Sequence, residues 1–542
     1  MSKTAIIIGS GFAGLSAASF LAKKGWAVTV VEKHEQPGGR ARRLVANGFT
    51  FDMGPSWYWM PDVFERYFAQ FGKRVEDYYT LERLDPSYRI YWPTDMWDMP
   101  ASYEEMKALF EKIEPGAGVQ LDIVMKEAAY KYEVGVKKLV FKPGQSYAEF
   151  LDMDLVKGVF KLDVFTSIKK HFSKHFKNPQ LRELMEFPVL FLGALAEDTP
   201  ALYSLMNYAD IKGGTWFPKG GMYSIVEGMY KLATELGVQF LFNHDAQEIK
   251  VENGVAKSVV CALLPTDDRQ LSTDNGSATI NLNAIDTDSV PITVDGRRST
   301  KDTTTPITVE VQRLTVDLSA DVIISNADYH FTETKLLQPQ YRTYSESYWS
   351  KRVMAPGCLL YYIGLNKKIK ALPHHSLFFD VPFAPHAADI YTTPQWPKKP
   401  LFYVSATSVT DASQAPAGCE NLFFLIPVAA GLTNDDETLR KKYFDQIIKR
   451  FEERIGEPIA ENIVYYKSYA HSDFINDYNA YKGNAYGLAN TLLQTAVLKP
   501  TCRSKKVKNL FYTGQLTVPG PGVPPSLISG EVVAGQVEKH YK

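Results

Sequence analysis

An α/β fold, α+β over the whole chain, is what the sequence predicts: a parallel-sheet domain opened by a βαβ unit, a second domain of antiparallel sheet plus helices, and a helical insertion. Three observations predict it. Thr4 to Glu32 reads as strand, glycine turn, helix and strand; residues from Val63 to Lys177 carry helical patterns of charged and aromatic residues; and apolar runs of strand length recur between Leu359 and Val428. With 542 residues, 45% hydrophobic and 22% charged, the chain is of ordinary globular composition and exceeds what one core supports.

Taken in order, Thr4 to Ile8 is a short buried strand, Phe12 to Lys24 a helix with Leu15, Ala18 and Leu21 at helical spacing, and Ala27 to Glu32 a second strand. Ala5 to Ala22 carries no charge and follows Lys3, which resembles a secretory signal or a membrane span. Its glycines argue against that, because Gly9, Gly11 and Gly14 would each cost a helix roughly 1 kcal/mol relative to alanine. The stretch from Val63 to Lys177 is expected to be helical without strands, and Asp163 to Lys177 within it reads as a basic amphipathic helix. There Phe165, Ile168, Phe172 and Phe176 would lie on one side and Lys170, Lys174 and Lys177 on the other, either on a lipid surface or packed on the protein's own domain. Trp216 to Lys231 passes from a Gly-rich turn into a helix, and Val238 to Phe242 and Val255 to Leu263 return to strand. From about Pro265 to Asp317 the composition turns to Thr, Asp, Asn and Ser, an exposed excursion with short β-prone pieces. Ala320 to Ser325, Leu359 to Leu365, Leu401 to Thr407 and Leu422 to Val428 are strands, and Thr438 to Ile455 is a helix. Asn509 to Lys542 reads as strand, Gly/Pro loop and helix.

Charge and cysteine usage narrow the function. Sixty basic against sixty-one acidic residues leave a net charge of −1, so no global field draws the protein onto nucleic acid. Cys261, Cys358, Cys419 and Cys502 lie far apart with no CxxC pair, which gives no zinc signature and no disulfide framework. A reducing cytosol fits, and no metal site is expected.

The chemistry starts at Gly9-Ser10-Gly11-Phe12-Ala13-Gly14, between strand and helix, with Glu32 and Lys33 ending the next strand about twenty residues later. Gly9 allows the turn, Gly11 lets amides approach a pyrophosphate at the helix N-terminus, Gly14 permits helix-to-strand packing, and Glu32 can accept bonds from a ribose. Gly38-Gly39-Arg40 follows six residues after Glu32 and offers further amides and a positive charge to the same diphosphate, which favours flavin over nicotinamide. Gly54 and Pro55, in Phe51-Asp52-Met53-Gly54-Pro55, would shape the wall beside the isoalloxazine, with Asp52 a candidate turn former.

The N-terminal run, Trp216-Phe217-Pro218-Lys219-Gly220-Gly221-Met222, Ile324-Ser325-Asn326-Ala327-Asp328 and Asn509 through Gly514, Gly522-Val523-Pro524 and Gly530 together resemble the bacterial-type phytoene desaturases over nearly the whole chain. Val409-Thr410-Asp411, Ala415 to Gly418 and the stretch around Asp473, Phe474 and Asn479 match as well. The resemblance implies a Rossmann-like FAD-binding domain of the amine oxidase and p-hydroxybenzoate hydroxylase type, assembled from residues 1–95, 215–260, 318–335 and 500–542. It also implies a helical, membrane-associating insertion at 96–214 and a substrate domain at 336–499, with 265–317 an excursion of open role. Gly514, Gly522, Val523 and Pro524 would return to the flavin. The implied activity is desaturation of a long apolar polyene by a cytoplasmic enzyme peripheral to a membrane, with quinone or oxygen as electron acceptor and self-association left open. Departures are the long excursion and Ser146-Tyr147-Ala148-Glu149, which lacks the arginine many relatives place before the acid.

Such a substrate offers only apolar area, at roughly 25 cal/mol per Å², so a tunnel is expected, for which Trp57, Tyr58 and Trp59 are suitable lining. Hydride departure leaves an allylic cation. A buried carboxylate could stabilise it and take the following proton, and Glu149, Asp411 and, behind them, Asp389 are the candidates. Competing readings are a flavin-dependent polyene isomerase, ketolase or saturase, and a non-redox lipid escort resembling the Rab GDP dissociation inhibitors.

Overall fold

The computed structural model describes residues 2–150, 162–265 and 314–541. Its first sheet has five strands in the order Leu510–Tyr512, Val322–Ser325, Thr4–Ile8, Ala27–Val31, Gln239–Leu241, all parallel. The strand nearest the N-terminus thus sits at the centre, separated from the strand contributed by the C-terminus only by Val322–Ser325. Ile7, Val30 and Ile324 are fully buried, as expected of parallel strands covered on both faces. Helices Phe12–Lys23 and Val523–Tyr541 cover this sheet and cross closely: a Cβ on Gly530 would lie 2.4 Å from the Ala13 carbonyl oxygen, and Ser16 Oγ donates to the Leu527 carbonyl at 2.7 Å. Gly530 is therefore a packing requirement between helices more than 500 residues apart in sequence.

A second sheet of seven strands runs Ile463–Tyr469, Gly357–Leu365, Glu420–Val428, Phe402–Ser405, His375–Phe378, Tyr88–Tyr91, Met96–Met99. Its ladders are antiparallel apart from the parallel pairing of His375–Phe378 with Tyr88–Tyr91. Every residue of Gly357–Leu365 is buried, and the period of two divides the strand's work. Leu359, Tyr361, Ile363 and Leu365 pack with Phe444, Ile447 and Phe451 of helix Glu437–Ile455; Cys358, Leu360 and Tyr362 face the larger core shared with the parallel sheet. A small antiparallel sheet of His244–Glu252, Val255–Leu263 and Thr315–Ser319 completes the β structure relevant to the site.

Two expectations are corrected, and a third falls outside the described residues. The region after Val63 holds strands as well as helices: Leu81–Arg83, Tyr88–Tyr91 and Met96–Met99. The last two belong to the seven-stranded sheet, so a boundary at 95 divides a ladder. These strands are three or four residues long, and Arg89, outward-facing and paired with Asp98 at 2.6 Å, makes them look like charged helix surface. The helix expected over Asp163 to Lys177 is Ile168–His175, started by Ser167, whose hydroxyl accepts from the Lys170 amide. Its apolar side is not a lipid face, because Ile168, Phe172 and Phe176 are fully buried against the protein's own core, while Phe165 lies outside the helix and 82% exposed. The β-prone pieces expected inside the Thr/Asp-rich excursion fall outside the described residues.

Candidate functional site

The turn after strand Thr4–Ile8 is fixed by its glycines. Gly9 has φ of +95°, a conformation that side-chain-bearing residues rarely adopt, and its amide donates to the Val31 carbonyl at 2.8 Å. Gly11 is the N-cap of helix Phe12–Lys23 with no capping side chain, which leaves the helix amides open. Gly14 turns the other way: a Cβ there would lie 2.1 Å from the Gly9 carbonyl oxygen. Glu32, buried at the end of the second strand, accepts from Ser10 N at 2.8 Å and Ser10 Oγ at 2.7 Å through one oxygen and from His34 N at 3.0 Å through the other. The acid therefore braces the turn and also lines the cavity.

The second glycine pair stacks on this turn. Gly38 donates to the Ser10 carbonyl at 2.9 Å, and a Cβ on Gly39 would meet Gly11 Cα at 3.5 Å. Arg40 lies half-buried beside them. With the Gln515 amide in its hydrogen-bonding orientation, its oxygen accepts from Arg40 Nη1 and Nη2 at 3.1 and 3.0 Å, but Arg40 Nε has no partner. Burial pulls this guanidinium below its ordinary pKa, the Asp328 carboxylate opposing; burial likewise raises Asp328, which accepts from the Arg40-independent amides of Phe331 and Tyr481.

From the other end of the chain, Gly514, with φ of +108°, donates to Ser529 Oγ at 3.0 Å, and Thr513 N donates to the Ser325 carbonyl at 2.9 Å. These residues, Pro521, Gly522 and the first turn of helix Val523–Tyr541 line the same cavity as the N-terminal turn. Its volume is about 410 Å³, and its wall is mainly apolar. Away from the glycines it opens into a chamber of Trp57, Trp59, Met60, Met206, Leu360, Tyr403, Leu425 and Tyr486. Trp57 stacks on His375 with centroids 4.3 Å apart and planes 14° from parallel, which holds its ring in place.

Of the expected cofactor residues, Gly9, Gly11, Phe12, Ala13, Glu32, Lys33, Gly38, Gly39, Arg40, Gly54, Pro55, Gly514, Gly522, Val523 and Pro524 all line this cavity. Gly14 does not, in keeping with its packing role. Asp52 accepts from the Met222 and Tyr223 amides at 2.8 and 2.9 Å, so it caps helix Tyr223–Glu235 rather than merely forming a turn; burial raises its pKa to about 6.

The three catalytic acids are placed elsewhere. Asp411 accepts from Gly220 N at 2.8 Å, Ser413 N at 3.0 Å and Ser413 Oγ at 2.7 Å, and those hydrogen bonds outweigh burial to lower its pKa. Glu149 accepts from the Gly144 and Gln145 amides at 2.9 and 3.0 Å, closing its own loop. Asp389, on helix Phe383–Tyr391, accepts from Gln395 Nε2 at 2.6 Å. None of them lines the cavity. Short local loops and caps attract acids for backbone reasons, and sequence alone does not separate these from a catalytic acid. Asp411→Asn is accordingly expected to leave steady-state turnover within about twofold of wild type, since removing a loop acid acts through stability, by about 0.5–2 kcal/mol; a tenfold fall with flavin retained would return it to the mechanism.

Sequence reasoning did not single out Asn326, Asp328 or Tyr478 as site residues, yet all line the cavity. Asn326 Nδ2 donates to the Gly9 carbonyl at 3.3 Å, and Arg40 and Arg42 both lie over the Tyr478 ring. All three stood within matching motifs, Tyr478 in the stretch from Asp473 to Asn479, but nothing local in that stretch points to the cavity, because the placement of Tyr478 comes from long-range packing.

A dinucleotide fits these residues on three counts: an uncapped helix N-terminus, glycines whose missing side chains leave room for a diphosphate, and a half-buried guanidinium with an unpartnered N–H. The comparisons agree. The model of the flavin containing amine oxidoreductase family matches residues 12–284. The carotenoid 3,4-desaturase of Haloarcula japonica is 38% identical, covering 97% of this chain and 96% of its own, and the zeta-carotene-forming phytoene desaturase of Myxococcus xanthus is 29% identical over 97% and 92%. Among solved structures, an oxidoreductase from Methanosarcina mazei shares the fold with a TM-score of 0.58 at 12% identity, covering 98% of this chain and 100% of that one. On this evidence the chain belongs to the carotenoid desaturase family, within the flavin-containing amine oxidoreductases.

Proposed function

We propose that this protein is an FAD-dependent oxidoreductase acting on CH–CH bonds, a desaturase that introduces double bonds into a linear carotenoid such as phytoene in carotenoid biosynthesis. One observation carries the proposal: a single cavity joins the glycine turns and Arg40 at one end to an aromatic, apolar chamber at the other. Arg40, the Gly11 helix N-terminus and Glu32 would hold the diphosphate and ribose of FAD, and Gly54, Pro55, Gly514 and Gly522 to Pro524 would flank its ring. The flavin, when bound, supplies the hydride acceptor.

The chain supplies the rest. The chamber excludes water from a substrate that binds by area alone. Among the described residues the chamber wall, from Trp57 to Met206 and from Cys358 to Leu425, carries no carboxylate, which supports a mechanism without a carboxylate beside the substrate. Positive charge left on the polyene would face the rings of Trp57 and Tyr403, an attraction of roughly 0.5–2 kcal/mol each. Tyr403 is oriented by its hydroxyl against His375 Nδ1 at 2.6 Å, and burial keeps His375 neutral by lowering its pKa well below the usual value.

A lipid-soluble substrate also favours peripheral docking at a membrane. No helix among the described residues is long and apolar enough to cross one. The stripe Val119, Ile123 and Tyr130 on helix Ala117–Lys137, together with Phe165, supports docking better than the buried side of Ile168–His175, since all four are exposed. The test is to feed phytoene, dehydrosqualene and partly desaturated carotenes in liposomes to the flavin-loaded protein. Products that have lost pairs of hydrogens and absorb at longer wavelength are expected, and the protein should float with the vesicles. Products of unchanged hydrogen count, oxygenated products or hydrogenated products would favour the isomerase, ketolase or saturase instead; a purified protein without flavin absorbance would favour an escort.

A further inference from the structure

The helical insertion holds a second group of ligand-type side chains that takes no part in the cavity. His171 and His175 stand four residues apart on helix Ile168–His175, hence on one face. They lie against helix Ala117–Lys137, which carries Glu127. One nitrogen of each histidine and one carboxylate oxygen of Glu127 fall within 4.8 Å of one another.

The His171 imidazole is the unusual member. Its side chain is 4% exposed, and Nε2 has no hydrogen-bond partner although it lies 3.8 Å from Glu127 Oε2. A buried ring nitrogen is normally satisfied. The 3.8 Å gap is too long for a hydrogen bond and only slightly longer than the roughly 3.3 Å between ligand atoms of a tetrahedral cation with bonds of about 2.0–2.1 Å. His175 Nδ1 donates to Gln120 Oε1 at 2.9 Å, which directs Nε2 outward as the lone-pair nitrogen, the arrangement a ligating histidine requires. His171 Nδ1 faces Asp163 Oδ2 at 4.0 Å. Glu127 is 44% exposed, so the group has a path to solvent.

We propose that Glu127, His171 and His175 form a binding site for a divalent transition-metal cation of the zinc type, with its fourth position open to water. Two imidazoles and one carboxylate suit zinc and exclude calcium or magnesium, which prefer all-oxygen shells. The Lys131 charge opposes a cation nearby, but Asp163 pairs with it at 3.0 Å and the Ala201 carbonyl and Ser204 hydroxyl accept its other protons. A bound cation would tie the two helices together independently of the flavin.

The test uses the full-length, flavin-loaded protein, stripped with EDTA, desalted and titrated with Co²⁺ and then Zn²⁺. One equivalent of Co²⁺ is expected to bind with the visible absorption of a four-coordinate site and to be displaced by Zn²⁺. His175→Ala should weaken binding by more than about 100-fold, and Gln120→Leu by about tenfold, with flavin absorbance unchanged in both. Glu127→Gln, at an exposed position, replaces His175→Ala should that variant fail to fold. The absence of saturable binding, or equal affinity in wild type and the ligand variants, overturns the proposal.

Discussion

Gly14→Ala is expected to yield a colourless protein. The added methyl would lie 2.1 Å from the Gly9 carbonyl oxygen and 2.9 Å from Asn326 Nδ2. Both atoms belong to the fingerprint turn or the residue that braces it, and the nearer is backbone, so neither can move aside cheaply. Helix Phe12–Lys23 would have to slide off the turn, displacing the open amides beyond Gly11 and breaking the Asn326 bond to Gly9. Overpacking of this kind costs about 1–3 kcal/mol in stability. Cofactor binding suffers more, because an array of backbone donors works only when all its members point at one diphosphate. The ratio of flavin to protein absorbance after purification measures the effect. Gly535→Ala is the control: a Cβ there meets nothing within 4 Å, and it lies in helix Val523–Tyr541. That variant should keep its flavin and gain about 0.5–1 kcal/mol from helix propensity. Wild-type flavin content in Gly14→Ala would refute the assignment of this turn to the cofactor.

Arg40→Leu is expected to separate cofactor affinity from the stability of the empty protein. In the unliganded chain Arg40 is a half-buried guanidinium whose buried Nε–H is unpartnered and which has no carboxylate in bidentate contact, a costly arrangement. Replacing it with an apolar side chain should leave the melting temperature of flavin-free protein unchanged or higher. With FAD the sign reverses. A buried cation meeting an anion contributes about 2–5 kcal/mol by truncation, so flavin affinity should fall by roughly 30-fold to more than 1,000-fold. Flavin fluorescence titration and thermal melts with and without FAD read the two effects separately. A loss of apo stability comparable to the loss of affinity would mean that Arg40 is a structural residue.

The nucleotide half of the site was legible in sequence because its parts are local. Gly9 to Gly14, Glu32 and Gly38 to Arg40 lie within one βαβ unit and the turn after it, and each residue type answers a nearby backbone or ligand demand. The family resemblance added the C-terminal residues Gly514 and Gly522 to Pro524, which no spacing rule connects to the first forty residues. The placement of the candidate acids was not legible. Asp411 and Glu149 have the right chemistry but serve their own loops, and an acid that accepts backbone amides looks the same in sequence as one aimed at substrate. The face of Ile168–His175 failed for a related reason: periodicity shows that a helix has an apolar side but not what covers it.

By itself the sequence determined the βαβ opening, the glycine-bound turns, the strands Gly357–Leu365 and Glu420–Val428 and the helix Glu437–Ile455, because short-range sterics and hydrophobic period decide such elements. Tertiary structure alone decided that Tyr88–Met99 joins the second sheet, that Cys358 and Leu360 rather than their neighbours face the cavity, and that the chamber wall is aromatic and, among the described residues, free of carboxylates. Those outcomes depend on which distant surfaces come together to bury their apolar area. That is a property of the whole chain and of no segment of it.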